Sequence, residues 1–193
     1  MQAKRWEPRP GRSVAAMRVV AGALKGRRIV APRGRDTRPT SGQVREAVFN
    51  ALNSLGVVEG ATVLDLFAGS GALGIEALSR GAKQCTFVDQ AGSAIAAIRT
   101  NVETCGVAGQ STIVNADALA FVDRSDRYDL VIADPPYGFE DWAGLLAGID
   151  AGFVVLESDH AVVVPSPWVA VREKAYGTTV VTFAERAVPA VTE

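Results

Sequence analysis

Short apolar runs alternate with helix-like segments along the chain from residue 61 onward. The apolar runs are Thr62–Phe67, Cys85–Asp89, Thr112–Asn115 and Asp129–Ala133. Ala72–Arg80 and Ala91–Cys105 carry apolar residues every three or four positions, which is the spacing of a helix with one buried face. Strands that alternate with helices in this way predict an α/β fold, with a parallel sheet covered by helices on both faces.

The segments before this alternation predict a hairpin and a helix. Arg18–Ala21 and Arg28–Ala31 are β-prone runs separated by a glycine-containing turn, which suits a small β-hairpin. Thr40 followed by Gln43 matches a capping box at the start of a helix. Apolar residues at helical spacing then continue to Leu55.

The end of the chain is less regular. After Gly144 the pattern predicts strands at Ala161–Pro165 and Thr178–Phe183, with Val169–Lys174 pairing between them. Phe153–Glu157 is compatible with either a strand or a helix. Residues 41–193 are interpreted as one domain, because their length and apolar content suit a single compact core.

Positive charge is concentrated at the start of the chain, although the formal net charge is only −1. Residues 1–45 contain twelve of the 20 Lys and Arg residues but two of the 21 Asp and Glu residues. We expect residues 1–16 to form a basic, disordered tail and residues 17–40 to form the hairpin and a basic arm. Such an arm suits a polyanion such as nucleic acid, although a merely solvated tail would have the same composition.

The remaining composition argues against metal, disulfide and membrane chemistry. Cys85 and Cys105 form no C-x-x-C pair and His160 is the only histidine, so neither a disulfide scaffold nor a metal site is expected. No apolar run approaches the ~20 residues that span a bilayer, and the start of the chain lacks the apolar stretch of a signal peptide. We therefore expect a cytoplasmic protein with no membrane partner.

The first chemical motif is a glycine-rich turn between a predicted strand and a predicted helix. Gly69 and Gly71 let a ligand approach the backbone closely, and the helix after them offers free N–H groups. Asp89 ends the next predicted strand, where a carboxylate can accept hydrogen bonds from the two hydroxyls of a ribose. With Gly74, these glycines also fit the G-x-G-x-x-G fingerprint of dinucleotide-binding proteins. The pattern therefore predicts a ribose-bearing cofactor.

Asp65 helps to distinguish between the candidate cofactors. It lies four residues before Gly69, and we place it at the mouth of the cleft. A carboxylate there would repel the pyrophosphate of NAD but would suit a cationic amino-acid head, such as the ammonium of S-adenosylmethionine. An NAD-dependent oxidoreductase is kept as an alternative.

The most specific motif is Asp134-Pro135-Pro136-Tyr137, directly after the strand predicted at Asp129–Ala133. The prolines fix φ and remove two N–H donors, which leaves a rim of carbonyl groups and one carboxylate. Such a rim can accept both hydrogen bonds of an exocyclic amino group, and Tyr137 can stack on a base swung out of its helix. We interpret these four residues as a catalytic loop, in which Asp134 either accepts the amine proton or only orients the amine. An ordinary proline turn is the alternative interpretation.

These motifs resemble those of known methyltransferases. The glycine motif resembles the first motif of Rossmann-like S-adenosylmethionine-dependent methyltransferases, and the proline motif resembles the D/N-P-P-Y/F motif of amino-methyltransferases. The residues that the resemblance assigns to the cofactor turn are Asp65, Phe67, Ala68, Gly69, Ser70 and Gly71. The resemblance also implies that Asp89 holds the ribose and that Asp117 accepts from the adenine amino group. Asp117 suits a helix N-cap nearly as well.

The string R-P-T-x-x-x-V-R-E-x-x-F-N at Arg38–Asn50 narrows the resemblance. It is similar to the bacterial family that makes N2-methylguanine in 16S ribosomal RNA, although Gly42 and Gln43 replace the Asp-Arg pair that is common there. The resemblance implies methylation of a guanine N2 amino group of 16S rRNA in a small-subunit assembly particle, and we expect a monomer. The predicted phosphate contacts are Arg27, Arg28, Arg38 and Arg45.

Two further alternatives stand beside the oxidoreductase. A DNA amino-methyltransferase would use the same chemistry, but such enzymes usually add a recognition domain, for which 193 residues leave little room. A non-catalytic RNA-binding assembly factor would explain the basic arm. It would need neither the glycine motif nor the proline motif.

Overall fold

The computed structural model describes residues 17–32 and 42–187. The predictions that concern residues 1–16, Arg38 and the Thr40 helix cap lie outside these residues.

The strands are β1 (Met17–Arg18), β2 (Arg28–Ile29), β3 (Thr62–Leu66), β4 (Gln84–Asp89), β5 (Ser111–Asn115), β6 (Tyr128–Ala133), β7 (Ala151–Ser158), β8 (Trp168–Tyr176) and β9 (Thr179–Arg186). The helices are α1 (Gly42–Ser54), α2 (Ala72–Ser79), α3 (Gly92–Cys105), α4 (Ala118–Val122) and α5 (Trp142–Gly148). Among these helices, none is both long enough and apolar enough to cross a membrane.

Seven strands form one mixed sheet in the order β5-β4-β3-β6-β7-β9-β8. The first five strands in this order pair in parallel, while β9 pairs antiparallel with both β7 and β8. The chain runs outward from β3 through β4 to β5 and then returns to build β6 and β7 on the other side. The predicted Rossmann-like sheet is therefore confirmed, and its strand order reverses between β3 and β6.

Each central strand buries one set of side chains on each face of the sheet. In β6, Leu130 and Ile132 join the core beneath α1, α2 and α3, whereas Val131 and Ala133 join the core beneath α4 and α5. Strands buried on both faces read as continuous apolar runs, which is why the sequence of β6 shows no alternation. The helices thus cover both faces, as predicted.

The C-terminal part of the fold differs from the prediction at one strand. Ala161–Pro165 was expected to be a strand, but it is an irregular segment between β7 and β8. Its residues alternate between buried Val162 and an 89% exposed Val163, as a strand would. However, β7 already pairs with β6 on one edge and β9 on the other, so this segment cannot pair with the strand that precedes it. The ambiguous Phe153–Glu157 lies within strand β7.

The predicted N-terminal hairpin is confirmed and is attached to α2. Strands β1 and β2 pair antiparallel. The buried carboxylate of Glu76 accepts hydrogen bonds from the backbone N–H groups of Val20 and Ala21 at 2.8 and 3.0 Å. Ser79 accepts two more, from Leu24 to its hydroxyl and from Ala23 to its carbonyl. Polar groups of one helix therefore satisfy the turn of the hairpin.

Gly74 lets α2 pack closely against β4. A Cβ atom at this position would lie 2.3 Å from the Phe87 ring and 2.5 Å from the Cys85 sulfur. Both neighbours are buried, so neither can move aside into solvent. The third glycine of the G-x-G-x-x-G pattern is thus required by helix–strand packing.

Gly74→Ala is expected to lower the free energy of unfolding by about 1–3 kcal/mol, because the added methyl group overpacks a filled core. Urea denaturation followed by circular dichroism measures this change. Gly92→Ala at the start of α3 is the matched control, since a Cβ atom there would meet nothing within 4 Å. If both variants were as stable as the wild type, close packing at Gly74 would not be the reason for its glycine.

Candidate active site

A cavity of about 430 Å³ opens at the carboxyl ends of β3, β4 and β6. Gly69 and Ser70 of the glycine turn, Asp89 at the end of β4 and the loop that follows β6 all line this cavity. Residues 31–32, which follow the hairpin, also line the cavity. Cavities of a few hundred Å³ at a reversal of strand order are the usual ligand sites of open α/β sheets.

The glycine turn between β3 and α2 has a left-handed backbone at three positions. Gly69 and Gly71 have φ values of +55° and +74°, and Phe67 has φ +57°. Left-handed geometry is costly for a residue with a side chain, and it persists only where the surroundings enforce it. Here the N–H of Ala68 donates to the carbonyl of Val88 at 3.0 Å, which holds the turn against the next strand.

Asp89 supports the turn and borders the cavity at the same time. It is buried, and its Oδ2 accepts from the N–H of Gly69 at 2.9 Å while Oδ1 accepts from the N–H of Ala91 at 2.8 Å. A carboxylate oxygen has two lone pairs, so each oxygen retains capacity for a further donor. Asp89 ends β4, as the sequence predicted, and the structure places it beside the glycine turn.

Asp65 lies beneath the turn and not at the mouth of the cleft, where the sequence placed it. Its side chain is 0% exposed because this position of β3 faces the interior. Oδ2 accepts from the N–H of Gly74 at 2.9 Å, and Oδ1 has no hydrogen-bond partner among the described residues. Burial raises the pKa of Asp65 well above its ordinary value; the Gly74 hydrogen bond opposes this, and the charges of Asp134 and Asp89 add to it.

The Asp134-Pro135-Pro136-Tyr137 loop begins beside the glycine turn. Asp134 follows β6 directly, and its N–H lies 3.5 Å from the carbonyl of Leu66 at the end of β3. Tyr137 is 68% exposed, so its ring is accessible to a ligand outside the cavity. The two motifs are therefore adjacent in space, and the proline loop adds acceptors and an aromatic ring to one end of the cavity.

Aromatic rings support the proline loop from behind. The Phe139 ring meets the Phe67 ring edge-on at 5.4 Å and the Trp142 ring at 5.0 Å between centroids. The N–H of Phe139 also donates to the carbonyl of Pro136 at 3.2 Å. Phe67, whose backbone is left-handed, thus packs against the loop that follows β6. The glycine turn and the proline loop are therefore linked by side chains as well as by the pairing of β3 with β6.

Comparisons with known proteins identify the family to which this chain belongs. The sequence profile of a family described as Conserved hypothetical protein 95 matches residues 17–185. The ribosomal RNA small subunit methyltransferase D of Escherichia coli K12 is 34% identical over 172 residues, which are 83% of this chain and 85% of that protein. The chain belongs to this methyltransferase family.

One further relative and one solved structure agree with this assignment. YlbH of Bacillus subtilis, named provisionally as an rRNA methyltransferase, is 38% identical over 84% of this chain and 95% of its own. The solved structure of yhhF from Escherichia coli, described provisionally as a methyltransferase, has a TM-score of 0.78 and 31% identity and covers 89% of this chain and 98% of its own. The family model begins at residue 17 and therefore spans the hairpin as well as the sheet.

Asp117 in this family member is a helix cap. Its carboxylate accepts from the N–H of Ala120 at 3.1 Å at the start of α4, which is the second of the two roles considered from the sequence. Ala116 and Ala118 line the cavity on either side of it, whereas Asp117 itself is exposed. Its contact with an adenine amino group stays a prediction.

The described arginines that were predicted to contact phosphate lie in two different environments. Arg27 and Arg28 are exposed on the hairpin, and Arg27 Nη1 donates to the carbonyl of Thr104 at 3.1 Å. Arg45 is only 1% exposed: it donates to the carbonyl of Arg18 and lies 3.6 Å from Glu76. The face of α1 that carries Arg45 packs inward, so the structure does not place this arginine where the sequence expected a surface contact.

Glu76 and Asn101 are site-supporting residues that the sequence prediction missed. Both are buried polar residues, and the other buried residues of their helices are mostly apolar. A polar residue on an otherwise apolar helix face was therefore the available signal. Their partners, however, lie in distant segments and cannot be read from that pattern.

Asp65→Asn is expected to flatten the dependence of stability on pH. Because folding raises the pKa of Asp65, the folded protein binds more protons than the unfolded chain between the two pKa values. The contribution of Asp65 to the free energy of unfolding therefore falls as pH rises from about 4, the unfolded value, toward the raised folded value. Asparagine does not titrate, so the variant lacks this decline.

Urea denaturation of both proteins at a series of pH values measures the slopes. Asp129→Asn is a control of opposite sign, because two hydrogen bonds from Thr62 lower the pKa of Asp129. The stabilisation that Asp129 contributes is present above its unfolded pKa and is lost as pH falls. Parallel curves for the wild type and Asp65→Asn would contradict the raised pKa.

Proposed function

We propose that this protein transfers a methyl group from S-adenosylmethionine to the exocyclic N2 amino group of a guanine in 16S ribosomal RNA. The main support for the proposal is that Gly69 and Ser70 of the glycine turn and the Asp134–Tyr137 loop line one cavity. The names of the relatives support ribosomal RNA as the substrate. The proposal includes action as a monomer on a small-subunit assembly particle in the cytoplasm.

The residues around the turn suit the proposed cofactor. When bound, S-adenosylmethionine supplies a methyl group on a positively charged sulfonium. Asp89 would accept from the ribose hydroxyls, and the glycine turn would receive the methionine part. The carboxylate of Asp65 lies beneath the turn and not among the residues that line the cavity, so its charge would favour a cationic head from behind the turn. The same buried carboxylate disfavours the pyrophosphate of a dinucleotide.

The Asp134–Tyr137 loop suits an amino group as the methyl acceptor. Pro135 and Pro136 have no N–H, so these two positions add carbonyl acceptors to the loop and no backbone donors. An amino group held by two such acceptors has its lone pair oriented, and positive charge that develops on the nitrogen is stabilised. Alignment of nitrogen and methyl group at about 3–3.5 Å would provide most of the remaining rate enhancement. Tyr137 would stack on the extruded base.

A second carboxylate favours guanine over other bases. Glu157 at the end of β7 lines the same cavity, and the β6–β7 register pairs Ala133 with Leu156, which makes Asp134 and Glu157 neighbours at the strand ends. Guanine has two adjacent donors, N1–H and the N2 amino group. Adenine and cytosine instead have an acceptor nitrogen beside their amino groups. Two neighbouring carboxylates therefore match the guanine edge and oppose the other two.

The proposal is tested by methylation with labelled S-adenosylmethionine, using unmodified 16S rRNA, small-subunit particles and DNA of the same sequence. We expect label in RNA alone, recovered as N2-methylguanosine after digestion. Asp134→Ala is expected to reduce turnover by about 100-fold or more, because it removes a group that contacts the amine. Its affinity for the cofactor, measured by calorimetry, should change little.

Two results would count against this assignment. Label recovered in another nucleoside or in DNA would remove the guanine specificity. Turnover of Asp134→Ala at the rate of the wild type would mean that the proline motif is only a turn.

Neutralising Arg27 and Arg28 is expected to weaken RNA binding and to reduce its salt dependence. Each phosphate contact contributes about 0.9 to the slope of log K against log salt on a B-form duplex and about 0.7 on single strands. Arg27→Gln with Arg28→Gln should therefore lower the slope by up to about 1.4–1.8, with little change in cofactor affinity. Titrations at several salt concentrations measure the slope.

Arg124→Gln with Arg127→Gln is the matched control, since it removes the same charge from exposed residues just before β6. These residues lie at the amino end of the strand, whereas the cavity lies at the carboxyl ends. An equal loss of slope in both double variants would indicate general electrostatic attraction and not a phosphate-binding hairpin.

A further inference from the structure

One buried amide links the N-terminal hairpin to the glycine turn. Asn101 lies on α3 and is 1% exposed. Its Oδ1 accepts from the N–H of Val30 at 2.8 Å, and its Nδ2 donates to the carbonyl of Val30 at 2.9 Å. The same Nδ2 donates to the carbonyl of Ser70 at 2.8 Å. The side chain therefore uses its oxygen and both N–H donors on two segments that are distant in sequence.

The two linked segments both border the cavity. Ser70 belongs to the glycine turn, and residues 31–32, which follow Val30, line the same cavity. On the other side of Val30 lie Arg27 and Arg28, the exposed arginines that we propose as phosphate contacts. A single hydrogen-bonded side chain thus joins the proposed RNA contacts to the proposed cofactor turn.

Attachment of the hairpin does not by itself require this link. Glu76 and Ser79 already hold the turn of the hairpin on α2, and Val19 and Ile29 are buried in the main core. Asn101 acts at a different place, where the chain leaves β2 toward the cavity. Its hydrogen bond to Ser70 does not attach the hairpin. Instead, this bond makes the position of the segment after Val30 depend on the position of the glycine turn.

We infer that Asn101 is a positioning residue that couples RNA binding to cofactor binding, so that each ligand strengthens the binding of the other. This inference rests on the proposed function. A ligand on the turn holds the Ser70 carbonyl and, through the amide, the segment that follows Val30. RNA on the hairpin orders the same segment from the other side. Each ligand therefore orders part of the structure that the other needs, and the coupling must be equal in both directions.

The coupling is measured with S-adenosylhomocysteine, which cannot donate a methyl group, and unmodified 16S rRNA. The RNA Kd is determined with and without saturating S-adenosylhomocysteine, and the S-adenosylhomocysteine Kd with and without RNA. For the wild type we expect each ligand to tighten the other by about fivefold or more. In Asn101→Ala this factor should fall toward one, whatever the separate affinities become.

Two variants separate coupling from general damage. Asn115→Ala removes an asparagine whose Nδ2 donates to the carbonyl of Asp89, near the cavity but away from the hairpin, and it should keep the coupling factor. If Asn101→Ala does not fold, Val30→Pro removes the hydrogen bond from the Val30 N–H to Asn101 at a residue that is 49% exposed, and it should reduce the factor.

The outcomes distinguish this inference from the proposed function. A wild-type factor of one, or an unchanged factor in the Asn101 and Val30 variants, overturns the coupling while methylation by the wild type still supports the function. Absence of RNA methylation by the wild type overturns the function and the inference together.

Discussion

The parallel pairing of β3 with β6 is the constraint on which the candidate site depends. Leu66 pairs with Ala133, so the next residues, Phe67 and Asp134, begin their two loops side by side. Because both strands are buried on two faces, a shift of register by one residue would exchange the sets of side chains that face each core. The apolar packing that fixes the sheet therefore also fixes the distance between the glycine turn and the proline loop.

A buried cluster of charges connects this sheet to the hairpin. Glu76 is paired with Arg80 at 2.9 Å and lies 3.6 Å from Arg45, and its two oxygens also accept backbone N–H groups from the hairpin. Removal of one member of a buried pair commonly destabilises a protein by about 3–5 kcal/mol, because the partner charge is left uncompensated. An apolar residue at position 76 would avoid the desolvation cost, but it would leave the N–H groups of Val20 and Ala21 without acceptors.

The features that could be predicted from the sequence are those that depend on the pattern of neighbouring residues along the chain. The apolar runs and helical spacing of residues 61–133 predicted the sheet, and the motif at Asp134–Tyr137 was assigned to the correct strand end. The error at Ala161–Pro165 arose because a β-prone pattern does not reveal that β7 has no free edge. The interior position of Arg45 and the links made by Asn101 depend in the same way on which distant segments pack against them, so periodicity alone could not predict either.

The carboxylates around the cavity would bind the cofactor more strongly before the proposed reaction than after it. Asp65, Asp89 and Asp134 surround the glycine turn, and burial together with the two neighbouring charges raises the pKa of Asp65 in the free protein. A cationic ligand relieves this unfavourable arrangement, whereas a neutral ligand of the same shape does not. Under the proposed function, S-adenosylmethionine would supply the methyl group from a sulfonium and leave as a neutral thioether, and Asp134 would stabilise the positive charge that develops on the amine. The carboxylates that attract the cofactor would therefore hold the product less strongly than the substrate, which favours turnover over product retention.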